Sequence, residues 1–386
     1  MTDLTVEKLV AGGEGLGFVD GKAVFVRGVL PGELVRVRLR ESRRDYERAE
    51  LREIVRPSPH RVQPVCGLAG TCGGCDWMHI SYEEQLRLKV QVVQEALRRT
   101  GGIEPDDLPG GSLSIEPSPP LASRNRAQVH RDASGRLGYM AARSERVVPA
   151  ARCPIVAPPI EAVLAGGRPA PEDLDRFTVW SDGISCAVEG IDDARDLTVT
   201  VNGRSILFSV GCFFQSNLAV LEKLVPWALE GIPADTVTAA GPAPRAADLY
   251  SGVGVFGAFL ASRVLQVTCV ETSTVSMAYA RRNVGGEPHQ FYPTSVENWI
   301  VSGAARGGFD VVVADPPWPG LSAEVRAWLV ANPPRQLLYV SCNPVTLARD
   351  LGALTAGGLT LEALRLFDFY PQTSHVEAVA RLRGPS

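Results

Sequence analysis

Two short segments of the 386-residue chain hold the side chains best suited to covalent chemistry. Cys342 lies in Ser341-Cys342-Asn343-Pro344, directly after the apolar run Gln336-Leu337-Leu338-Tyr339-Val340. The run predicts a buried strand, and Pro344, which has no backbone N–H, stops it from continuing, so the thiol is presented at a strand-to-turn junction. Glu377, in His375-Val376-Glu377, opens a second apolar run and offers a carboxylate at a strand start. A thiolate and a carboxylate together suit a reaction that neither performs alone. Pyrimidine C5 is a poor nucleophile. Thiolate addition to C6 turns C5 into an enolate carbon that can attack an electrophilic methyl group, and a proton must then leave C5 before the sulfur can be eliminated. A lone cysteine is more often a small buried hydrophobe. Here the order of the surrounding motifs argues for the nucleophile.

A methyl donor has a candidate site in the same half of the chain. The run Ala246-Ala247-Asp248-Leu249 passes through Tyr250-Ser251-Gly252-Val253-Gly254 into a helix-like stretch, so backbone N–H groups at Gly252 and Gly254 can approach a nucleotide-like ligand closely. The next strand-like run, Val267-Thr268-Cys269-Val270, ends in Glu271, about 20 residues on, where a carboxylate can accept ribose hydroxyls. Nicotinamide dinucleotides use a similar unit. Two features favour S-adenosylmethionine: Phe256 and Gly257 break the full G-x-G-x-x-G spacing, and the fourth strand ends in Asp315-Pro316-Pro317, a methyltransferase signature.

The elements that position these groups follow from periodicity. From about residue 211 strands alternate with helix-length segments, which predicts a Rossmann-like α/β domain with a doubly wound parallel sheet and its ligands at the strands' C-terminal ends. Residues 4–56 alternate short β-type runs with glycine-rich turns such as Ala11-Gly12-Gly13-Glu14-Gly15-Leu16-Gly17, which predicts a small closed barrel. Pro57-Ser58-Pro59 is its exit linker. A helix is expected over residues 81–100, with Ser81 and Glu84 as a capping box, ended by Gly101 and Gly102. Residues 124–150 read as a hairpin turning at residues 132–135. The expected division is residues 1–57, an OB-like barrel; 58–207, a small α+β central domain; and 208–386, the S-adenosylmethionine-dependent domain.

A formal net charge of −4 argues weakly against a nucleic-acid partner, but two segments run the other way. Residues 27–61 hold ten arginines against six acidic residues, and residues 124–152 hold seven against two. Such islands let an acidic protein hold phosphates. No run approaches the roughly 18 apolar residues of a membrane span, and the first ten residues carry Asp3, Glu7 and Lys8 where a signal peptide needs an apolar core. A cytoplasmic monomer is expected.

Cys66, Cys72 and Cys75 have the spacing C-x5-C-x2-C, and Cys153 follows the basic hairpin. Four thiolates suit either a structural zinc or an iron–sulfur cluster, and the spacing does not choose between them. Disulfides are not expected in the cytoplasm. Cys186, Cys212 and Cys269 read as core residues.

The combination of Phe213-Phe214-Gln215-Ser216-Asn217, Asp248-Leu249-Tyr250-Ser251-Gly252-Val253-Gly254, Val270-Glu271-Thr272-Ser273, Asp315-Pro316-Pro317, Ser341-Cys342-Asn343-Pro344 and His375-Val376-Glu377 resembles the RumA/TrmA family of RNA uracil-C5 methyltransferases. The N-terminal segment resembles the TRAM domain, an RNA-binding barrel, through residues 12–33 and the basic strand Val35-Arg36-Val37-Arg38-Leu39-Arg40. The likeness extends over nearly the whole chain. It implies Cys342 as nucleophile and Glu377 as proton acceptor, Gln215, Tyr250, Glu271, Asn298 and Asp315 around the donor, and Phe213, Gln215 and Asp315 at an extruded uracil. It also implies a [4Fe–4S] cluster on Cys66, Cys72, Cys75 and Cys153, in preference to zinc. Barrel and cluster together match the RumA-like members that act on 23S ribosomal RNA, with transfer RNA as the alternative target. Two positions depart from the pattern: Trp318 stands where arginine usually follows the two prolines, and Val255 where asparagine is common. Asp315-Pro316-Pro317-Trp318 also occurs in adenine-N6 amino-methyltransferases, in which Cys342 and Glu377 would be idle. A non-catalytic RNA-binding iron–sulfur protein is the other rival.

Overall fold

The computed structural model describes residues 1–232 and 244–385. Six strands, β1 (Thr2–Thr5), β2 (Lys8–Leu9), β3 (Gly15–Val19), β4 (Lys22–Val26), β5 (Leu34–Ser42) and β6 (Tyr46–Arg56), pair in the order β1-β5-β6-β4-β3-β2. Between β1 and β2, the Val6 N–H donates to the Glu33 carbonyl (2.9 Å) and the Glu7 N–H to the Leu16 carbonyl (2.8 Å). One interrupted strand therefore borders both edges of the sheet and closes the barrel over Leu4, Val6, Val24, Val26, Val35 and Val37. The glycine-rich stretch expected as a turn supplies most of β3. A Cβ at Gly17 would lie 2.3 Å from the Thr5 carbonyl oxygen, so the closure admits only glycine there, and this glycine hides the strand from a propensity reading. Several of these arginines are paired: Arg36 with Asp3 (3.0 Å), and Arg38, Arg40 and Arg52 all with the single carboxylate of Glu50.

The chain then forms α1 (Tyr82–Ala96), which ends in a π-helical turn with Gly102 at φ 63°, and β7 (Ser114–Glu116). Ser81 occupies the N-cap position without a side-chain cap bond, and Glu84 instead binds Arg87 (2.7 Å), so the expected capping box does not form. The basic hairpin is β8 (Arg126–Arg131) and β9 (Leu137–Met140), with Asp132 accepting the Ser134 and Arg136 N–H groups in its turn (2.9 Å each). It continues through β10 (Val147–Pro149), α2 (Pro158–Leu164), β11 (Arg176–Ser181) and β12 (Cys186–Val188) as an antiparallel sheet, β10-β9-β8-β11-β12, covered by α2. A hairpin of β13 (Leu197–Val201) and β14 (Arg204–Phe208) packs into the C-terminal core.

The remaining elements are α3 (Leu218–Ala228), β15 (Arg245–Leu249), α4 (Val255–Leu260), β16 (Gln266–Val270), α5 (Thr274–Val284), β17 (Gln290–Tyr292), α6 (Val296–Val301), β18 (Val311–Ala314), α7 (Ala323–Ala331), β19 (Gln336–Ser341), α8 (Pro344–Ala356), β20 (Thr360–Phe367) and β21 (Glu377–Arg383). They build a sheet in the order β17-β16-β15-β18-β19-β21-β20-β7. It is parallel throughout except for β21, which runs antiparallel to both neighbours. Val311 and Val313 of β18 point into the core under α3, α4 and α5, while Val312 and Ala314 point into the core under α1, α6, α7 and α8. Two buried faces explain the continuous apolar runs in the sequence. The edge strand β7 and the helix α1 belong to this sheet and its cover, although they precede residue 207. Among the described residues, no helix is long and apolar enough to cross a membrane. Cys186, Cys212 and Cys269 are buried in the core clusters, as expected.

Candidate active site

The C-terminal ends of β15, β16, β18 and β19, the start of β21 and the segment before α3 open on one cavity of about 1090 Å³, lined by Phe213, Gln215, Tyr250, Glu271, Asp315, Cys342 and Glu377. Tyr250, Gly252 and Gly254 have φ of 59°, 54° and 79°, so the chain leaves β15 through left-handed residues that turn it into α4. The carboxylate of Glu271 braces this loop: it accepts the Gly252 N–H (3.0 Å) and, at its own turn, the Ser273 N–H (2.7 Å). A residue the sequence reading passed over supports the loop from beneath. Asp248 is 1% exposed, its carboxylate accepts the Gly257 N–H of α4 (2.7 Å), and burial pushes its carboxyl up to about 7. A lone carboxylate in an apolar strand was the available signal.

Phe213 and Gln215 are held by the central sheet. Asn125 donates its N–H to the Ser216 carbonyl (2.7 Å) and accepts the Leu218 N–H (3.1 Å). Buried Phe214 stacks on Phe208, with centroids 4.3 Å apart. Phe213 is left 58% exposed, with the Arg126 guanidinium 5.6 Å from its ring.

Cys342 occupies the turn between β19 and α8, where Asn343 is the N-cap and accepts the Val345 N–H (3.0 Å). Pro344 ends the strand and is also the first residue of the helix, a position that needs no N–H. Burial, then the carboxylates of Glu377 and Asp315, push the thiol up to about 12. Glu377 is 5% exposed; burial first and Asp315 second push its carboxyl well above the usual range. Burial likewise raises Asp315, to about 7. Two carboxyls and a thiol that all resist charge face one cavity, the kind of perturbed cluster found where side chains exchange protons with a substrate.

The loop leading to Glu377 is anchored from the N-terminal half. Lys89 and Asp368, both fully buried, form an ion pair (2.5 Å); Tyr82 donates to Asp368 (2.8 Å), and Lys89 to the Tyr370 carbonyl (3.0 Å). Gln85 and Gln372 bind reciprocally, and Asp76 accepts the Ser374 N–H (2.8 Å). Lys89→Met is expected to strand Asp368 unpaired and to lower stability by about 3–5 kcal/mol, read as a fall in the urea midpoint. An unchanged midpoint would show that the pair contributes nothing.

The chain as a whole resembles proteins of known description. The description tRNA (Uracil-5-)-methyltransferase matches residues 306–383, and the TRAM domain matches residues 2–51. A Treponema denticola protein described as an uncharacterized RNA methyltransferase is 32% identical over 94% of each chain. The 23S rRNA (uracil(1939)-C(5))-methyltransferase RlmD of Halomonas elongata is 30% identical, with 99% of this chain and 89% of that one covered. The chain belongs to the RumA/TrmA family of RNA uracil-C5 methyltransferases. The fold agrees with that of Pyrococcus abyssi tRNA (uracil-54, C5)-methyltransferase in complex with S-adenosyl-L-homocysteine, at TM-score 0.71 and 22% identity over 99% of this chain and all of that one. As a member of the RumA/TrmA family, the protein is an S-adenosylmethionine-dependent enzyme acting on RNA, and the adenine-N6 and non-catalytic readings fall.

One expected donor residue does not join the others. Asn298 is exposed on α6 and does not line the cavity, whereas its neighbour Glu297 does. Helix periodicity accounts for the miss, because successive residues point about 100° apart.

Cys66, Cys72, Cys75 and Cys153 line a second cavity of about 50 Å³, with Leu68, Met78, Arg124 and Tyr139. The loop carrying Cys72 is bridged to the hairpin through the Gly73 N–H and the Met140 carbonyl (2.9 Å). Among the described residues, no group of three or more His, Cys, Asp or Glu is arranged to hold a metal ion.

Proposed function

We propose that the protein forms 5-methyluridine in 23S ribosomal RNA, in the cytoplasm, with Cys342 as nucleophile and Glu377 as base. The observation that carries this reading is the shared wall of Cys342, Asp315 and Glu377, in one cavity with the Gly252–Gly254 loop and Glu271. That loop, Glu271, Tyr250 and Gln215 are the residues that would hold S-adenosylmethionine, since they line the cavity with close-approaching backbone, a carboxylate for hydroxyls and an aromatic wall. S-adenosylmethionine supplies an electrophilic methyl group. The thiolate of Cys342 forms a bond to uracil C6, and the electron pair displaced onto C5 takes the methyl group as the methyl–sulfonium bond breaks and leaves a neutral thioether. Glu377, in its ionised form, then accepts the C5 proton as the bond from C6 to sulfur breaks, which returns the thiolate; its raised affinity for a proton strengthens it as a base. Asp315 orients the uracil, and Phe213, exposed beside Arg126, supplies a face on which the extruded base can rest. Nucleoside analysis of RNA from a deletion strain tests the assignment: loss of a single 5-methyluridine from 23S ribosomal RNA supports it, and loss from transfer RNA moves the target.

The four cysteines on one cavity would hold a [4Fe–4S] cluster. The four thiols line one small cavity, a soft donor set that suits a cluster or a zinc ion, and the family resemblance favours the cluster. Its part is structural, pinning the cysteine loop to the hairpin, and no step of the reaction passes through it. Purified protein is expected to be brown, with iron and sulfide near four each per chain; stoichiometric zinc without visible absorbance would overturn the cluster.

A further inference from the structure

Trp318 lines the same cavity as Cys342, yet it is 51% exposed. Of the chain's six tryptophans, Trp77, Trp180, Trp299 and Trp328 are buried and Trp227 is packed against the core. The backbone of Trp318 is fixed from the nucleophile's side, where its carbonyl accepts Asn343 Nδ2 (3.1 Å) and Thr346 Oγ1 (3.5 Å). Its ring is fixed from the base's side, standing at 81° to His375 with centroids 5.6 Å apart. An indole held between the turn that presents Cys342 and the segment that presents Glu377, with half its surface in solvent, is a rigid aromatic face at the mouth of the reaction cavity. It carries no charge, so it is not built to grip a phosphate.

We propose that Trp318 is a stacking platform for the unpaired nucleobase next to the target uridine. This rests on the uracil-C5 reading, because extruding the target into the cavity brings its chain neighbours to the mouth and takes at least one of them out of its stack. Proteins that read single-stranded RNA hold such splayed bases on aromatic side chains, and the purchase is independent of charge. Phe213 is occupied by the uracil itself, so the neighbouring base needs a second face, which Trp318 supplies.

The test uses a 23S ribosomal RNA fragment that the wild-type enzyme methylates, together with two copies in which the nucleotide on either side of the target is abasic. On the intact fragment Trp318→Ala is expected to lower kcat/KM about 10-fold or more and Trp318→Phe less than about threefold, in line with the usual effect of removing one stacking partner. On one abasic fragment the wild type and Trp318→Ala should agree within about twofold, because the base that the indole serves is gone. Wild-type tryptophan emission should also be quenched by the intact fragment more than that of Trp318→Phe, a reading that survives if the alanine variant folds poorly. An equal loss on all three fragments, or no loss on any, overturns the proposal. If the wild type leaves uridine C5 unmethylated in every RNA offered, the uracil-C5 reading has failed and the proposal falls with it.

Discussion

Cys342→Ala is expected to stop methylation, by roughly 10⁴-fold or more in single turnovers, while S-adenosylmethionine binds about as well as before. Removing a covalent nucleophile deletes the step that makes C5 reactive, and losses on this scale accompany such deletions. The residues proposed to hold the donor, the loop after β15 and Glu271, belong to other strand ends. The wild type carries a matching signature. Because burial, with Glu377 and Asp315 next, pushes the thiol up to about 12, the thiolate is a minor species near neutrality. Its fraction grows tenfold per pH unit, so kcat/KM should climb through the neutral and mildly alkaline range without the plateau of an ordinary cysteine. Equilibrium titration with the donor and a labelled-methyl assay read both halves. An alanine variant that methylates normally would eliminate the covalent mechanism.

Glu377→Gln separates the two halves of the reaction. Sulfur addition and methyl transfer require no carboxylate at this position, but elimination requires the C5 proton to leave. The variant should therefore accumulate a covalent, already methylated RNA–protein adduct on ordinary uridine, seen as a denaturation-resistant band carrying the donor's label. Turnover should fall by roughly 10²–10⁴-fold, the usual cost of losing a positioned base. The fold should tolerate the change, because burial already disfavours the charge of this nearly inaccessible carboxyl and glutamine keeps its shape. If Glu377 only caps a strand, no labelled adduct builds up; release of 5-methyluridine at the wild-type rate would remove the residue from the mechanism.

What the sequence made legible were features that announce themselves locally. The apolar runs of β15, β16, β18 and β19 stand out because both faces of the sheet are covered, and each is followed by the turn whose side chain enters the cavity. Other features had no local mark. The strand β7 is three residues long and is a strand only because β20 offers it an edge. Lys89 and Asp368 are 279 residues apart, and nothing near either one says that its charge is buried and paired. Glu84 matched a capping pattern but is taken by Arg87, one helical turn on. Asn298 was placed by likeness alone, and its exposed position on α6 follows from the helix's phase, which likeness does not carry.

The position of β21 has a consequence for what a shortened chain would lose. It is the last strand in chain order, yet it sits inside the sheet: β19 pairs with it along one side, and β20, whose other partner is β7, along the other. Without residues 377–383, β19 and β20 would each present an unpaired edge, a condition that invites pairing with other chains. The pairing of β21 with β20 is local in the chain, with Phe367 opposite Glu377, whereas its pairing with β19 spans a longer stretch, with Ser341 opposite Ala378. Because this strand begins with Glu377 itself, a chain lacking it would lose that carboxyl and the join between the two parts of the sheet together.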